Sequence, residues 1–301
     1  MTNFNIMGKS KIWVSISAAL VVASIVLLFT HGLNLGLDFT GGVLLERQFQ
    51  KPVTAAQVRD VLTSPELESL DLAQSVIQPA GDGSEVLIRT KALKDQEIRK
   101  VDTALEKEFG KVHDLRTDMV EPVIGSEMLK QAGWALLLSW LLIMAYVAFR
   151  FEYRFGIAAI LAVMHDVIIT MGFFALTGRE VSSTFVAAIL TIVGYSINDT
   201  IVIFDRIREN LRLRRKEGLV ELVNSSINET LSRTIITNLM TQLTVVAILL
   251  FGGATLKDFS LALFFGTLVG TYSTIYVASP LWIWLRSFEE RKRPVGKAAK
   301  A

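Results

Sequence analysis

The chain has 301 residues, 51% of them apolar, with a positive mean hydropathy and a formal net charge of +2. A chain of this length and hydropathy reads as a membrane protein, and its near-neutral balance excludes an overall electrostatic partner such as nucleic acid. The absence of cysteine, with only 3 scattered histidines, excludes disulfides, thiolate chemistry and a sulfur-type zinc site, so neither a metal nor a cofactor is expected.

Lys9 and Lys11 precede the apolar run Ile12 to Thr30. That run exceeds the roughly 7 to 15 residues of a cleavable signal core, and no small-x-small site follows it. It is predicted as an uncleaved first span. Next comes GLDFTGG, residues 36 to 42. No lysine and no GK[ST] ending follows, which argues against a phosphate loop, and a hinge or tight turn using the φ freedom of Gly36, Gly41 and Gly42 is expected instead.

From about residue 35 to 130 the composition turns soluble, which predicts a separate external domain. VLLERQFQ (43 to 50) alternates as a strand, TAAQVRDVLTS (54 to 64) opens on a capping Thr54 as a helix, and LAQSVIQ (72 to 78) alternates again. After the turn AGDG, SEVLIRTK (84 to 91) reads as a strand, 94 to 109 as an amphipathic helix ended by Gly110, and VHDLRTDMVEP as a last strand. The order βαββαβ is ferredoxin-like. Its acids, Glu97, Glu106 and Glu108 among them, lie on a solvated helix face, so the domain reads as a binding module without catalytic groups.

Five further runs approach the roughly 20 residues needed to cross a bilayer: Ala132 to Phe149, Phe155 to Leu176, Thr184 to Phe204, Ile235 to Phe251 and Phe259 to Leu285. The fold class is therefore an α-helical membrane protein with six spans and one domain between the first two. Sixteen basic residues flank the spans on one side, against Arg179 and Lys257 in the short loops on the other, which predicts that both termini are cytoplasmic. Trp13, Trp282 and Trp284 lie where interfacial anchors would. Residues 206 to 232 read as a basic cytoplasmic loop along the lipid headgroups, and 286 to 301 as a cytoplasmic tail. GTLVG (266 to 270) has the spacing for close helix contact, and Pro280 is expected to bend the inner end of the last span.

An ionisable residue within a span costs about 2.5 to 3.5 kcal/mol on insertion scales, so each one needs a reason. Asp166, beside His165, falls in the third span. Asp199 falls in the fourth, next to Asn198 and one turn after Tyr195 and Ser196. Asn238, Thr241 and Gln242 follow Arg233 in the fifth. Asn and Gln commonly join helices by hydrogen bonds, and that reading suits Asn238 and Gln242. Asp199 is different, since asparagine would join helices without the ionisation cost, and a proton-exchanging carboxylate is the expected role. Asp166 stays open between the two. Asp205 reads as an ion pair or helix boundary, and Arg233 either snorkels or pairs with Asp199.

GLDFTGG after span one, HDVIIT (165 to 170), VGYSINDTIVIFDRIREN (193 to 210), SRTIITN (232 to 238) and FGG (251 to 253), in this order, make the chain similar to the SecF branch of the SecD/SecF family, within the RND superfamily. The resemblance covers nearly the whole chain. It implies assistance to protein export across the bacterial inner membrane, driven by the proton motive force, with SecD, the SecYEG translocon, YajC, preproteins and membrane lipids as partners. It also implies that Asp199 and Arg233 match the family's proton-path residues, with Asp166 in the matching HD motif. Only one six-span unit is present, so a SecD chain is expected to supply the other. A proton-driven exporter of lipids or small molecules is the alternative, and an aspartyl protease using Asp166 and Asp199 would lack the GxGD and YD contexts of such enzymes.

Overall fold

The computed structural model describes residues 4–80, 83–214 and 217–292. The middle of the AGDG turn, two basic residues after Arg214 and the end of the expected tail lie outside them. The chain divides into two compact units, residues 35–133 and the remainder.

Within the first unit four strands, β1 (Gly42–Phe49), β2 (Val76–Ala80), β3 (Glu85–Thr90) and β4 (Val112–Val120), form an antiparallel sheet in the order β2-β3-β1-β4. Helices α1 (Ala55–Leu62) and α2 (Asp95–Phe109) supply the other elements, giving the ferredoxin-like arrangement expected. Val43, Leu45 and Phe49 alternate toward a core shared with Val58, Leu62, Val101 and Leu105. Thr54 caps α1 in a reciprocal capping box with Gln57, and Gly110 ends α2 at φ +81. The strand expected over 72 to 78 begins only at Val76. Leu72 is a buried turn residue, its carbonyl accepting from Ser75 N, so apolar burial there imitates alternation.

Arg47 is an unexpected core residue, 1% exposed, beside a bulge in β1 where the register with β4 shifts. Asp102 of α2 receives its Nε at 2.7 Å and Nη2 at 3.1 Å, and Asp114 of β4 receives Nη1 at 2.7 Å. One guanidinium thus joins strand, helix and neighbouring strand. The GLDFTGG segment is a packed turn. Leu37 and Phe39 are buried in a single helical turn, while Gly36 has an ordinary φ of −73 and needs no glycine freedom. Gly42 does need it, having φ +126 and a position where a Cβ would meet Thr90 O at 2.3 Å.

In the second unit and the helix entering it, six helices among the described residues are long and apolar enough to cross a membrane: Met7–Thr30, Val123–Arg150, Tyr153–Thr177, Ser183–Leu213, Leu219–Phe251 and Leu256–Phe288. Small residues bring them close. A Cβ on Gly172 would fall 2.3 Å from Ser24 Cβ, and one on Gly266 would fall 2.2 Å from Ile192 Cδ1, so the first span meets the third, and GTLVG meets the fourth, at glycines.

Two expectations are corrected here. Residues 206 to 232 are not a loop: the fourth and fifth helices run on to Leu213 and from Leu219, joined side by side by Arg206–Glu229, Arg214–Glu229 (2.7 Å) and Asn210–Ser226 (2.9 Å). Paired charges let both helices continue beyond the apolar length. Trp282 is no interfacial anchor but is fully buried, stacked on Phe155 at 4.6 Å, whereas Trp284 is exposed. The perturbation expected at Pro280 takes the form of a π-turn, Thr274–Ala278, within the sixth span, because proline cannot donate to the carbonyl four residues earlier. At the opposite end of the sequence, Asn224 and Asn228 of the fifth helix hold Phe4, Ile6 and Met7 by their backbone N–H groups at 2.8, 2.8 and 3.0 Å.

Candidate proton site

Asp199 lies on the inward side of the fourth helix, 7% exposed. Asn238 Nδ2 donates to its Oδ2 at 2.7 Å and to Thr234 O at 2.8 Å, while Asn238 Oδ1 accepts from Thr271 Oγ1 at 2.5 Å. Three helices therefore meet at one amide, which fixes the carboxyl. Arg233 is exposed, with no direct ion pair to Asp199 among the described residues. It lines a cleft of about 350 Å³ with Tyr146, Arg150, Asp205, Arg206 and Thr230. Asp205 marks no boundary, since its helix continues to Leu213, and Arg206 turns instead to Glu209 and Glu229.

A second carboxyl lies deeper. Asp166 is 1% exposed, with His165 Nδ1 at 2.9 Å from Oδ1 and the hydroxyls of Ser196 and Ser273 at 2.6 and 2.8 Å from Oδ2. Thr200 and Thr274 join the fourth and sixth helices nearby through their hydroxyls, 3.2 Å apart. A Cβ on Gly270 would approach Ser196 Cβ at 3.2 Å and Asp166 Oδ2 at 3.6 Å, so this glycine lets the sixth helix reach both.

The structure thus redistributes the predicted site residues. Asn238 supports Asp199 directly. Ser196, expected near Asp199, serves Asp166, because the third helix brings that carboxyl against it and its hydroxyl donates there. Tyr195 lies beside Thr237 and Thr241 of the fifth helix. Asn198 points away from the carboxyl and is exposed. Gln242 donates to Thr267 Oγ1 at 2.7 Å, as a helix-joining residue does. Sequence reasoning missed Thr271, Ser273 and Thr274, although the run TYST just before Pro280 was a visible polar signal in an apolar span.

Similarity to known proteins follows the same pattern. The family described as "Protein export membrane protein SecD/SecF, C-terminal" matches residues 100–288, and "SecD/SecF GG Motif" matches residues 26–53. A protein translocase subunit SecF from Calditerrivibrio nitroreducens is 41% identical over 298 residues, covering 96% of each chain. One from Pseudomonas aeruginosa is 42% identical, covering 95% of this chain and 92% of its own. The crystal structure of SecDF, a translocon-associated membrane protein from Thermus thermophilus, superimposes with a TM-score of 0.87 at 41% identity. It covers 95% of this chain, which spans 39% of the Thermus chain.

Proposed function

The chain belongs to the SecD/SecF family of protein-export membrane proteins and is a translocase subunit, not an enzyme; from that premise we propose that it uses the proton motive force to promote late preprotein translocation across the bacterial inner membrane. The observation that carries this reading is Asp199, a carboxyl enclosed by three spans and held by Asn238 and Thr271, with the Arg233 cation nearby. Asp199, Arg233 and Asp166 form the proton relay. A proton crossing the membrane releases about 2.3 kcal/mol per 100 mV, and its arrival at Asp199 cancels the attraction to Arg233, which biases one helix arrangement over another. Both termini are cytoplasmic in this reading. The fastening of Phe4 to Asn224 and Asn228 agrees, since it keeps the amino terminus beside the basic helical hairpin. Membrane vesicles depleted of this chain should lose the gradient-dependent part of preprotein export and regain it when the chain is restored. Equal stimulation by the gradient with and without it would refute the proposal.

SecD is the proposed partner for an exposed stripe on the fourth helix: Thr184, Ala187, Thr191, Gly194 and Asn198 recur at spacings of three and four. A Cβ on Gly194 would meet nothing within 4 Å. An asparagine and a line of small residues facing lipid would waste both hydrogen-bonding capacity and close-approach geometry, whereas against another helix they use both. The longer Thermus SecDF chain agrees with a second unit being needed. SecYEG and YajC are proposed as further partners, reached through the assembled pair. Gly194→Leu, which adds bulk only on this surface, should reduce co-purification of SecD by about tenfold while leaving the chain's own thermal midpoint unchanged. Undiminished recovery of SecD would move the interface elsewhere.

A further inference from the structure

Beside Asp166 one hydroxyl has two acceptors within reach, and the choice between them is specific. Ser273 Oγ lies 2.8 Å from Asp166 Oδ2 and 3.0 Å from Gly270 O. A hydroxyl has one hydrogen, so it satisfies only one of these at a time. Two complete patterns are open without moving a heavy atom. In the first, Ser196 and Ser273 both donate to an ionised carboxylate, and Gly270 O keeps its helical bond from Thr274 N. In the second, Oδ2 carries a proton and donates it to Ser273 Oγ, whose own hydrogen turns to Gly270 O.

His165 selects which oxygen exchanges. Its Nδ1 faces Oδ1 at 2.9 Å, whereas its Nε2 is buried with no hydrogen-bond partner among the described residues. A proton placed on Nε2 would be enclosed without an acceptor, at a cost of about 1 to 3 kcal/mol or more, so Nε2 does not store one. The ring is confined by Tyr272 at 6.3 Å, and the Tyr272 hydroxyl is itself engaged, donating to Trp13 O at 2.9 Å and accepting from Ser17. Among the described residues His165 is the titratable side chain hydrogen-bonded to Asp166; the fourth helix presents Ser196 and the sixth Ser273, with Tyr272 of the sixth beside the His165 ring and bonded to Ser17 of the first.

We infer that Asp166 Oδ2 is a second proton-binding site, with Ser273 as the hydroxyl that reverses as the proton comes and goes and His165 as the positioning residue that pins Oδ1. The step balances: a proton adds to Oδ2, the Ser273 hydrogen swings from Oδ2 to Gly270 O, and release reverses both. This rests on the reading that Asp166 belongs to the proton path, and it extends that path from the Asp199 side of the fourth helix to its Ser196 side.

Infrared difference spectra of the full chain in lipid, recorded between about pH 5 and about pH 8, test it. Of the protonated-carboxyl bands that appear as the pH falls, one should vanish in Asp166→Asn and survive in Asp199→Asn. Ser273→Ala deletes a donor to the ionised form, so its band should persist further into the alkaline range, by about one pH unit, while Ser273→Thr behaves as the parent. His165→Gln, which keeps an N–H for Oδ1, should stay nearer the parent than His165→Leu. A band indifferent to Asp166→Asn, or to Ser273→Ala, overturns the assignment. Gradient-driven export that survives in Asp199→Asn would count against the relay at Asp199, and with the Asp166 band intact would leave this second site standing.

Discussion

Asp199→Asn is expected to abolish gradient-dependent export while leaving the chain folded and associated with its partner. The substitution preserves the volume of the side chain and an oxygen facing Asn238 Nδ2, so the hydrogen bond at 2.7 Å can persist. Packing is then nearly unchanged, and what is lost is the group to which the proposed relay assigns proton exchange. In preprotein translocation by membrane vesicles, the increment due to the proton gradient should fall to the level of vesicles lacking the chain, a complete loss and not a partial one. Normal recovery of the complex from detergent would show that assembly is intact. Asp199→Glu retains the chemistry at a displaced position and should restore part of the increment. If the asparagine variant keeps the full increment, the proton passes elsewhere and the fourth helix is only structural.

The second large effect concerns the compact unit of residues 35–133. Arg47 is 1% exposed, whereas its partners Asp102 and Asp114 are 31% and 58% exposed. Removing both acids by Asp102→Asn with Asp114→Asn leaves a guanidinium buried without an anion. The cost of such a buried uncompensated charge is about 3 to 5 kcal/mol, and solvent access to Asp114 argues for the lower end. Hydrogen exchange at the β1 and β4 amides of the full chain should therefore accelerate on the order of 100-fold. Arg47→Met removes the cation and leaves two acids that water can reach, so it should accelerate exchange less than the double variant. The opposite ranking would mean that Arg47 contributes chiefly through the packing of its stem.

Much of this architecture was legible because its signals are local. The change from apolar to soluble composition near residue 35 and the alternation of Val43, Leu45 and Phe49 needed no knowledge of distant residues, nor did the Thr54 cap and the Gly110 stop. The errors arose where the deciding partner is far away. Residues 206 to 213 and 219 to 232 are helical because Glu229 receives Arg206 and Arg214 across the hairpin, a pairing that hydropathy cannot register. Trp282 lies near a span end in sequence, yet Phe155 buries it. The candidate site divides the same way. Asp199 stood out by its cost in an apolar helix, whereas the duty of Ser196 toward Asp166 depends on how two helices are rotated. The hydroxyls of the sixth helix acquire meaning only once they are seen beside the carboxyls.

The fastening of Phe4 to Asn228 joins residues 224 positions apart. Because a ribosome makes the amino terminus first, Phe4 has to wait for its partner until most of the polypeptide has been synthesised and the fifth helix is in place. Closure of the bundle on this side is therefore among the last events of biogenesis, and a bulky reporter fused ahead of residue 4 would obstruct it after every helix had already been inserted.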